Sequence, residues 1–171
     1  MLDDFVGDTS PLFCYLLMIT KEGILKIIRG LLKEKDIFLV SVDIGRTHNI
    51  RVVVDSIHGL PVSDCVDISR TIEQNLDRDV ADFEIEVTSP GLGSPFKVKE
   101  QYLKNIGREI EVILKDGRTL KGLLVGTGDD QFCIEQEKKV KIEGKKKKGI
   151  IKERHEFAYN DVSKARNIVK M

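Results

Sequence analysis

The stretch FEIEVTSPGLGSPF, residues 83–96, decides how this chain is divided. Its first half alternates. Phe83, Ile85 and Val87 are apolar, and Glu84, Glu86 and Thr88 are polar, which is the period of a strand with one buried face. Its second half cannot continue that strand. It holds two of the four prolines in the chain, Pro90 and Pro95. Pro90 disfavours the α region for Ser89, and the Pro90-Gly91 pair suits a turn with a positive φ. Ser89, Pro90, Gly91, Leu92 and Pro95 therefore read as an interdomain linker spanning 89–96. A domain at 18–88 lies before it and another at 97–171 after it.

Upstream, residues 20–34 read as a helix. Thr20 is placed to cap it, and Ile24, Ile27, Ile28, Leu31 and Leu32 fall on one stripe. Two strand-like runs follow, 37–44 with Phe38, Val40, Val42 and Ile44 inward, and 50–55 with Ile50, Val52 and Val54 inward. The residues between them suit a hairpin loop. After the Gly59-Leu60-Pro61 break, 63–76 reads as a second helix capped by Ser63 or Asp64, with Cys65, Ile68, Ile72 and Leu76 inward. The order is α-β-β-α-β, an α+β unit whose sheet carries its helices on one face.

Downstream the pattern changes. A short helical stretch near 99–105 precedes strand-like runs at 108–115, 118–126, 131–136, 138–143 and about 150–159. Asp116-Gly117 is a two-residue hairpin signal, and the Gly126–Asp130 segment is a second turn. Short strands with regular punctuation predict a small all-β barrel, whose closure would remove exposed edges.

The chain carries equal numbers of basic and acidic residues, 28 of each, but they are unevenly placed. Up to Phe96 there are 9 Lys and Arg against 16 Asp and Glu, a balance of −7. From Lys97 there are 19 against 12, a balance of +7. Such a split suits two modules that meet partners of opposite charge. No apolar run approaches the ~20 residues that span a bilayer. Residues 1–17 contain Asp3, Asp4 and Asp8 without Lys or Arg, so they lack the basic start of a signal peptide. They read as an upstream extension, non-native or disordered, with Met18 as the start of the regular pattern; a real N-terminal helix or interaction arm is the alternative. The cysteines, Cys14, Cys65 and Cys133, are odd in number and form no C-x-x-C pair. That argues against a disulfide framework or a structural zinc site and fits a reducing, cytoplasmic setting.

Catalytic, metal and cofactor signatures are missing from the sequence. His48, His58 and His155 have no metal-ligand spacing, and Gly91-Leu92-Gly93 has no third glycine to make a dinucleotide loop. The expectation is a protein that is not an enzyme and takes no cofactor, metal or small-molecule substrate. The conspicuous chemistry is Lys145, Lys146, Lys147 and Lys148 between Gly144 and Gly149, four ammonium groups suited to an RNA phosphate backbone. Asp77, Asp79, Asp82, Glu84 and Glu86 form an acidic face suited to a basic protein. Aromatic residues are scarce, at 6%, and show no interleaved base-stacking signature.

The run Phe83–Leu92 resembles the signature of the ribosome maturation factor RimP (YhbC-like) family, where a strand ends in a Ser-Pro-Gly-Leu turn. Residues 65–70 with Ile72, Leu76 and Asp77 resemble the second helix of that family. Residues 107–112 and 121–126 resemble its first barrel strands, and Asp161–Arg166 its terminal turn. The chain departs from the family at Gly93 and Ser94, where Asp-Arg is usual. Its lysine loop looks like an insertion relative to shorter members. The resemblance implies a KH-like two-layer first domain and an SH3-like, Sm-type second one. It implies a factor that binds pre-subunit ribosomal RNA and a ribosomal protein near the decoding centre, and so serves assembly of the small (30S) subunit. The expected partner surface is that of a basic ribosomal protein, and the expected state is a monomer. Two other classes remain open on the residues: an Sm-like general RNA-binding regulator, and a hydrolase or transferase with a site assembled only in three dimensions.

Overall fold

The computed structural model describes residues 19–79, 82–141 and 148–169. The expectation for residues 1–17 lies outside these, as do Lys145, Lys146 and Lys147. The fold is α+β, and the chain divides into two compact units, one ending at Pro90 and the other beginning at Gly91.

The first unit runs α1 (Lys21–Glu34), β1 (Phe38–Ile44), β2 (Asn49–Asp55), α2 (Val62–Asn75), β3 (Glu84–Thr88). The Thr20 hydroxyl accepts from the Gly23 amide at 3.1 Å and caps α1. Ile24, Ile28 and Leu32 of α1 share one core with Ile68 and Ile72 of α2 and with Ile50, Val52 and Val54 of β2. Both helices therefore cover the same face of the sheet. The sheet order is β1-β2-β3. β1 and β2 form an antiparallel hairpin. β3 lies parallel to β2, an arrangement that needs a crossover, here supplied by α2.

Two local readings are revised. A bulge between Leu39 and Ser41 makes Val40 the extra residue of β1, so the alternation slips there: Leu39 packs on the core with Val42 and Ile44, and Phe38 does not. The N-cap of α2 is Pro61, not Ser63 or Asp64, and no side chain caps it. The proline ring holds Pro61 extended at φ −66°, and the helix starts at the next residue. Asp64 and Asp67 instead bind the Lys35 ammonium, each at 2.7 Å, and tie the end of α1 to α2.

The second unit runs α3 (Lys99–Lys104), β4 (Glu109–Leu114), β5 (Thr119–Thr127), β6 (Gln131–Lys141), β7 (Lys148–Ala158), a 3-10 turn (Tyr159–Asp161) and β8 (Val162–Asn167). The strands form one antiparallel sheet in the order β7-β6-β5-β4-β8. Ile110, Val112, Leu124, Phe132 and Ile134 build its core with Tyr102 of α3. Tyr102 meets Phe96, Phe132 and Tyr159 with ring centroids 4.9, 4.8 and 5.0 Å away. Burial pushes its phenol up to about 12, with Tyr159 adding to the shift.

Two sequence readings differ here as well. The run 131–136 and the described part of the run 138–143, up to Lys141, belong to one strand, β6, which pairs with β7 without interruption from Gln131↔Ala158 to Lys141↔Lys148. Its middle carries charge because Glu135 pairs with Lys152 and Arg154, and Lys138 with Glu153, so no apolar face is required there. Residues 162–166 are not a terminal turn but most of β8, which pairs with β4. A bulge between Ile113 and Leu114 skips Ser163, so Lys164 opposes Ile113 and Val162 opposes Leu114. The interruption hides the strand period.

Candidate functional site

Sequence reasoning singles out three groups, and the fold treats them differently. Of the acidic residues singled out, Glu84 and Glu86 line one cleft with Arg51 and Arg78, Asp82 contacts Arg78, and Asp77 and Asp79 stand in the preceding turn, outside that lining. Across the outer face of the sheet, Arg51 of β2 stands opposite Asp43 of β1 and Glu86 of β3, and its Nε is 3.4 Å from Glu86 Oε2. At the start of β3, Arg78 is held from several sides. Its Nη2 is 3.1 Å from Glu73 Oε1, its Nη1 is 3.4 Å from Asp82 Oδ1, and Nη1 also donates to the Phe83 carbonyl at 3.2 Å. Its guanidinium lies 4.5 Å from the centre of the Phe83 ring. Asp77 accepts from the Asp79 amide at 2.9 Å and thereby closes the turn between them.

A cleft of about 660 Å³ lies over this region, lined by Arg51, Arg78, Glu73, Glu84 and Glu86 above Phe83. The surface is thus an acidic rim crossed by two guanidinium groups. Sequence reasoning does not pick out Arg51 or Arg78. Arg51 is findable, because it occupies an outward position of β2 between the inward Ile50 and Val52.

Of the lysine run, only Lys148 falls on a described element, at the first position of β7 opposite Lys141. Residues 89–96 take a different turn from the one expected. The positive φ is at Gly93, +78°, and not at Gly91. The Ser94 amide donates to the Gly91 carbonyl at 3.0 Å, so Gly91–Ser94 is the turn, with Gly93 at its third position. Gly93 therefore places a residue without Cβ where the backbone is left-handed. Leu92, at the tip, is 88% exposed. Phe96 then donates its amide to the Ala165 carbonyl at 2.7 Å, adding a backbone link beside β8.

The second unit also carries ordered charge. Glu111 is gripped by Arg166 of β8 at 2.6 Å and Lys121 of β5 at 3.2 Å, and both hold its carboxyl below the ordinary range, Arg166 first. Among the described residues no group of three or more His, Cys, Asp or Glu is placed to hold a metal ion. His48 sits in the β1–β2 turn at φ +56°, exposed His58 lies 3.9 Å from Asp36, and His155 lies 3.6 Å from Glu153. Cys65 and Cys133 are free thiols, and burial raises that of Cys65, with Asp64 adding to the effect. No described helix is long and apolar enough to cross a membrane.

Two compact units, the first of helices on a three-stranded sheet and the second built on a five-stranded antiparallel sheet, define a two-module α+β protein. Comparison with known proteins makes the assignment specific. Residues 27–93 match the RimP N-terminal domain. The ribosome maturation factor RimP of Porphyromonas gingivalis (strain ATCC BAA-308 / W83) is 39% identical over 131 residues, covering 77% of this chain and 86% of that protein. The protein of the same description from Christiangramia forsetii is 35% identical over 147 residues, 85% of this chain and 95% of its own length. That from Flavobacterium psychrophilum is 32% identical over 150 residues, with shares of 86% and 96%. The chain belongs to the ribosome maturation factor RimP family.

Proposed function

We propose that this protein serves ribosome maturation as a cytoplasmic, monomeric docking factor for the small (30S) subunit, and that it acts without catalysis. Membership of the RimP family carries this reading. In it, the basic second unit binds pre-subunit ribosomal RNA, with Lys145, Lys146, Lys147 and Lys148 on the phosphate backbone. The acidic residues Asp77, Asp79, Asp82, Glu84 and Glu86 meet a basic ribosomal protein near the decoding centre. The linker 89–96 joins two modest contacts in one chain, so the second forms at a high effective concentration. Binding favours the assembly state that fits both contacts and ends when the mature surface closes.

The finer fold reading belongs to the same proposal. The order α-β-β-α-β with a parallel β2–β3 pair supports a KH-like first domain. A five-stranded antiparallel sheet in which the last strand sits beside the first, β7-β6-β5-β4-β8, supports an SH3-like, Sm-type second domain. A deletion strain tests the function. It should accumulate unprocessed small-subunit RNA and free subunits, with recovery on re-expression. A normal small-subunit RNA profile in that strain would overturn the proposal.

A further inference from the structure

A second concave surface lies in the second unit, where the chain passes from β7 through the 3-10 turn into β8. It is a pocket of about 440 Å³ formed where the chain enters α3 and where the 3-10 turn meets β8. Phe96, Tyr102 and Tyr159 form its apolar part, and Lys97, Lys99 and Lys164 stand around it. Among the described residues that line it, none is acidic. The three lysines are exposed, Tyr102 is buried, and Tyr159 is half-buried.

The lysines are brought here by specific backbone features. The β8 bulge that skips Ser163 aims this edge, and Ser163 and Lys164 both line the pocket as a result. Lys97 and Lys99 flank Val98, and the Lys97 and Val98 amides both donate to the buried Gln101 Oε1, at 2.6 and 3.3 Å. That fixes the backbone from which the two ammonium groups project. Lys99 Nζ lies 5.4 Å from the centre of the Tyr159 ring and also reaches the Asp129 carbonyl. The Tyr159 hydroxyl donates to the Gly128 carbonyl at 3.2 Å, so the ring is held in place before any ligand arrives. Asp129 lies near enough to contribute to raising the Tyr159 phenol, after burial, and bounds the positive region on that side.

Three cations around a fixed aromatic surface match a phosphate joined to a flat, polarisable ring. We infer that this pocket holds one unpaired nucleotide of single-stranded RNA, with its phosphate among Lys97, Lys99 and Lys164 and its base against the Tyr159 side of the aromatic cluster. A duplex cannot present its base this way, because the ring faces are already stacked. This inference rests on the RNA-binding reading proposed above and adds a contact made by residues other than the lysine run.

The test titrates the full chain with a short unstructured oligoribonucleotide, and separately with the same sequence as a duplex, following backbone amide shifts by NMR. The single strand should move the amides of Lys97, Lys99, Tyr159, Ser163 and Lys164, and the duplex should not. Replacing Lys97, Lys99 and Lys164 together by Gln should lower the salt slope of single-strand affinity by about 0.7 per lysine that meets a phosphate. Lys164→Glu alone, an exposed change, should weaken binding in the same direction. Tyr159→Leu should cost about tenfold in affinity by removing the stacking surface. The pocket shifts should persist when Lys145, Lys146, Lys147 and Lys148 are all Ala. Silent pocket amides, or affinity indifferent to both lysine variants, would overturn the inference. Co-sedimentation with free small subunits, measured alongside, separates the two claims. Co-sedimentation with a silent pocket defeats the pocket alone. Oligonucleotide binding in the pocket without co-sedimentation upholds the pocket and defeats the subunit reading.

Discussion

Arg51 and Glu86 face one another across the parallel β2–β3 pair, Nε to Oε2 at 3.4 Å, on the outer face of the first sheet. The pair is exposed, so it adds little to stability. Its effect is on the field that a partner meets. Arg51 offsets Glu86 on one side and faces Asp43 on the other, and so moderates an otherwise acidic row.

Arg51→Ala should therefore change stability by no more than about 0.5 kcal/mol and speed association with a basic ribosomal protein at low salt. Replacing Glu84 and Glu86 by Gln should slow it. Stopped-flow association rates at two salt concentrations check both signs. Equal rates for all three proteins would mean this face does not meet a basic partner.

Replacing Lys145, Lys146, Lys147 and Lys148 by Ala should flatten the dependence of subunit affinity on salt, by about 0.7–0.9 in slope for each phosphate left without its lysine. Filter binding across a salt series reads the slope directly. An unchanged slope would remove the run from the RNA interface.

Phe83 belongs to the first core and Phe132 to the second, and both are about 1% exposed. Either one replaced by Ala should cost about 3–5 kcal/mol. Hydrogen exchange should show the weakening confined to the amides of the unit that carries the change. Equal weakening of protection in both units would argue for one cooperative core.

Gly122 of β5 is required by space. A Cβ there would lie 2.8 Å from the Glu135 carbonyl oxygen and 3.3 Å from its carbon, both backbone atoms that cannot step aside. Gly122→Ala should destabilise the second unit by about 1–3 kcal/mol, read as a lower urea midpoint. Leu123→Ala, one position along at a partly exposed side chain, is the control.

Carboxylate pairing sets an acid-side dependence. Arg166 and Lys121 hold Glu111 below its ordinary value of 4.5, and Lys152 and then Arg154 do the same for Glu135. Between the folded and unfolded values the unfolded chain binds more protons, so stability rises with pH. The contribution is complete above the unfolded value and is lost as pH falls through the lower, folded value. Urea midpoints from neutrality down to about pH 3 should hold and then decline. Arg166→Met should lower the neutral midpoint and shallow the acid decline, because Glu111 then titrates nearer its ordinary range.

Much of the fold is legible in the sequence because burial leaves a period. Ile24, Ile28 and Leu32 repeat at helical spacing, and Ile50, Val52 and Val54 at strand spacing, and each set is the buried face of its element. The alternation of Phe83, Ile85 and Val87 is equally plain. What escapes are features that break a period or arise between strands. The bulges at Val40 and Ser163 shift the phase of their own strands, so no plain alternation marks β8 where the resemblance implied a terminal turn. The pairing of Arg51 with Glu86 depends on the β2–β3 register, and the position of Arg78 over Phe83 depends on the loop before β3. The positive φ belongs to Gly93, two residues beyond the glycine that the Pro-Gly pair points to. The pocket around Tyr159 joins residues more than sixty positions apart, Lys97 and Lys164, and no local motif announces it.

The most direct measurement is sedimentation of the purified protein with free small subunits and with translating ribosomes, across a salt series. The account predicts co-migration with free small subunits that weakens steeply as salt rises, and little with translating ribosomes. Equal distribution between the two, or binding to free subunits that salt leaves untouched, would contradict it.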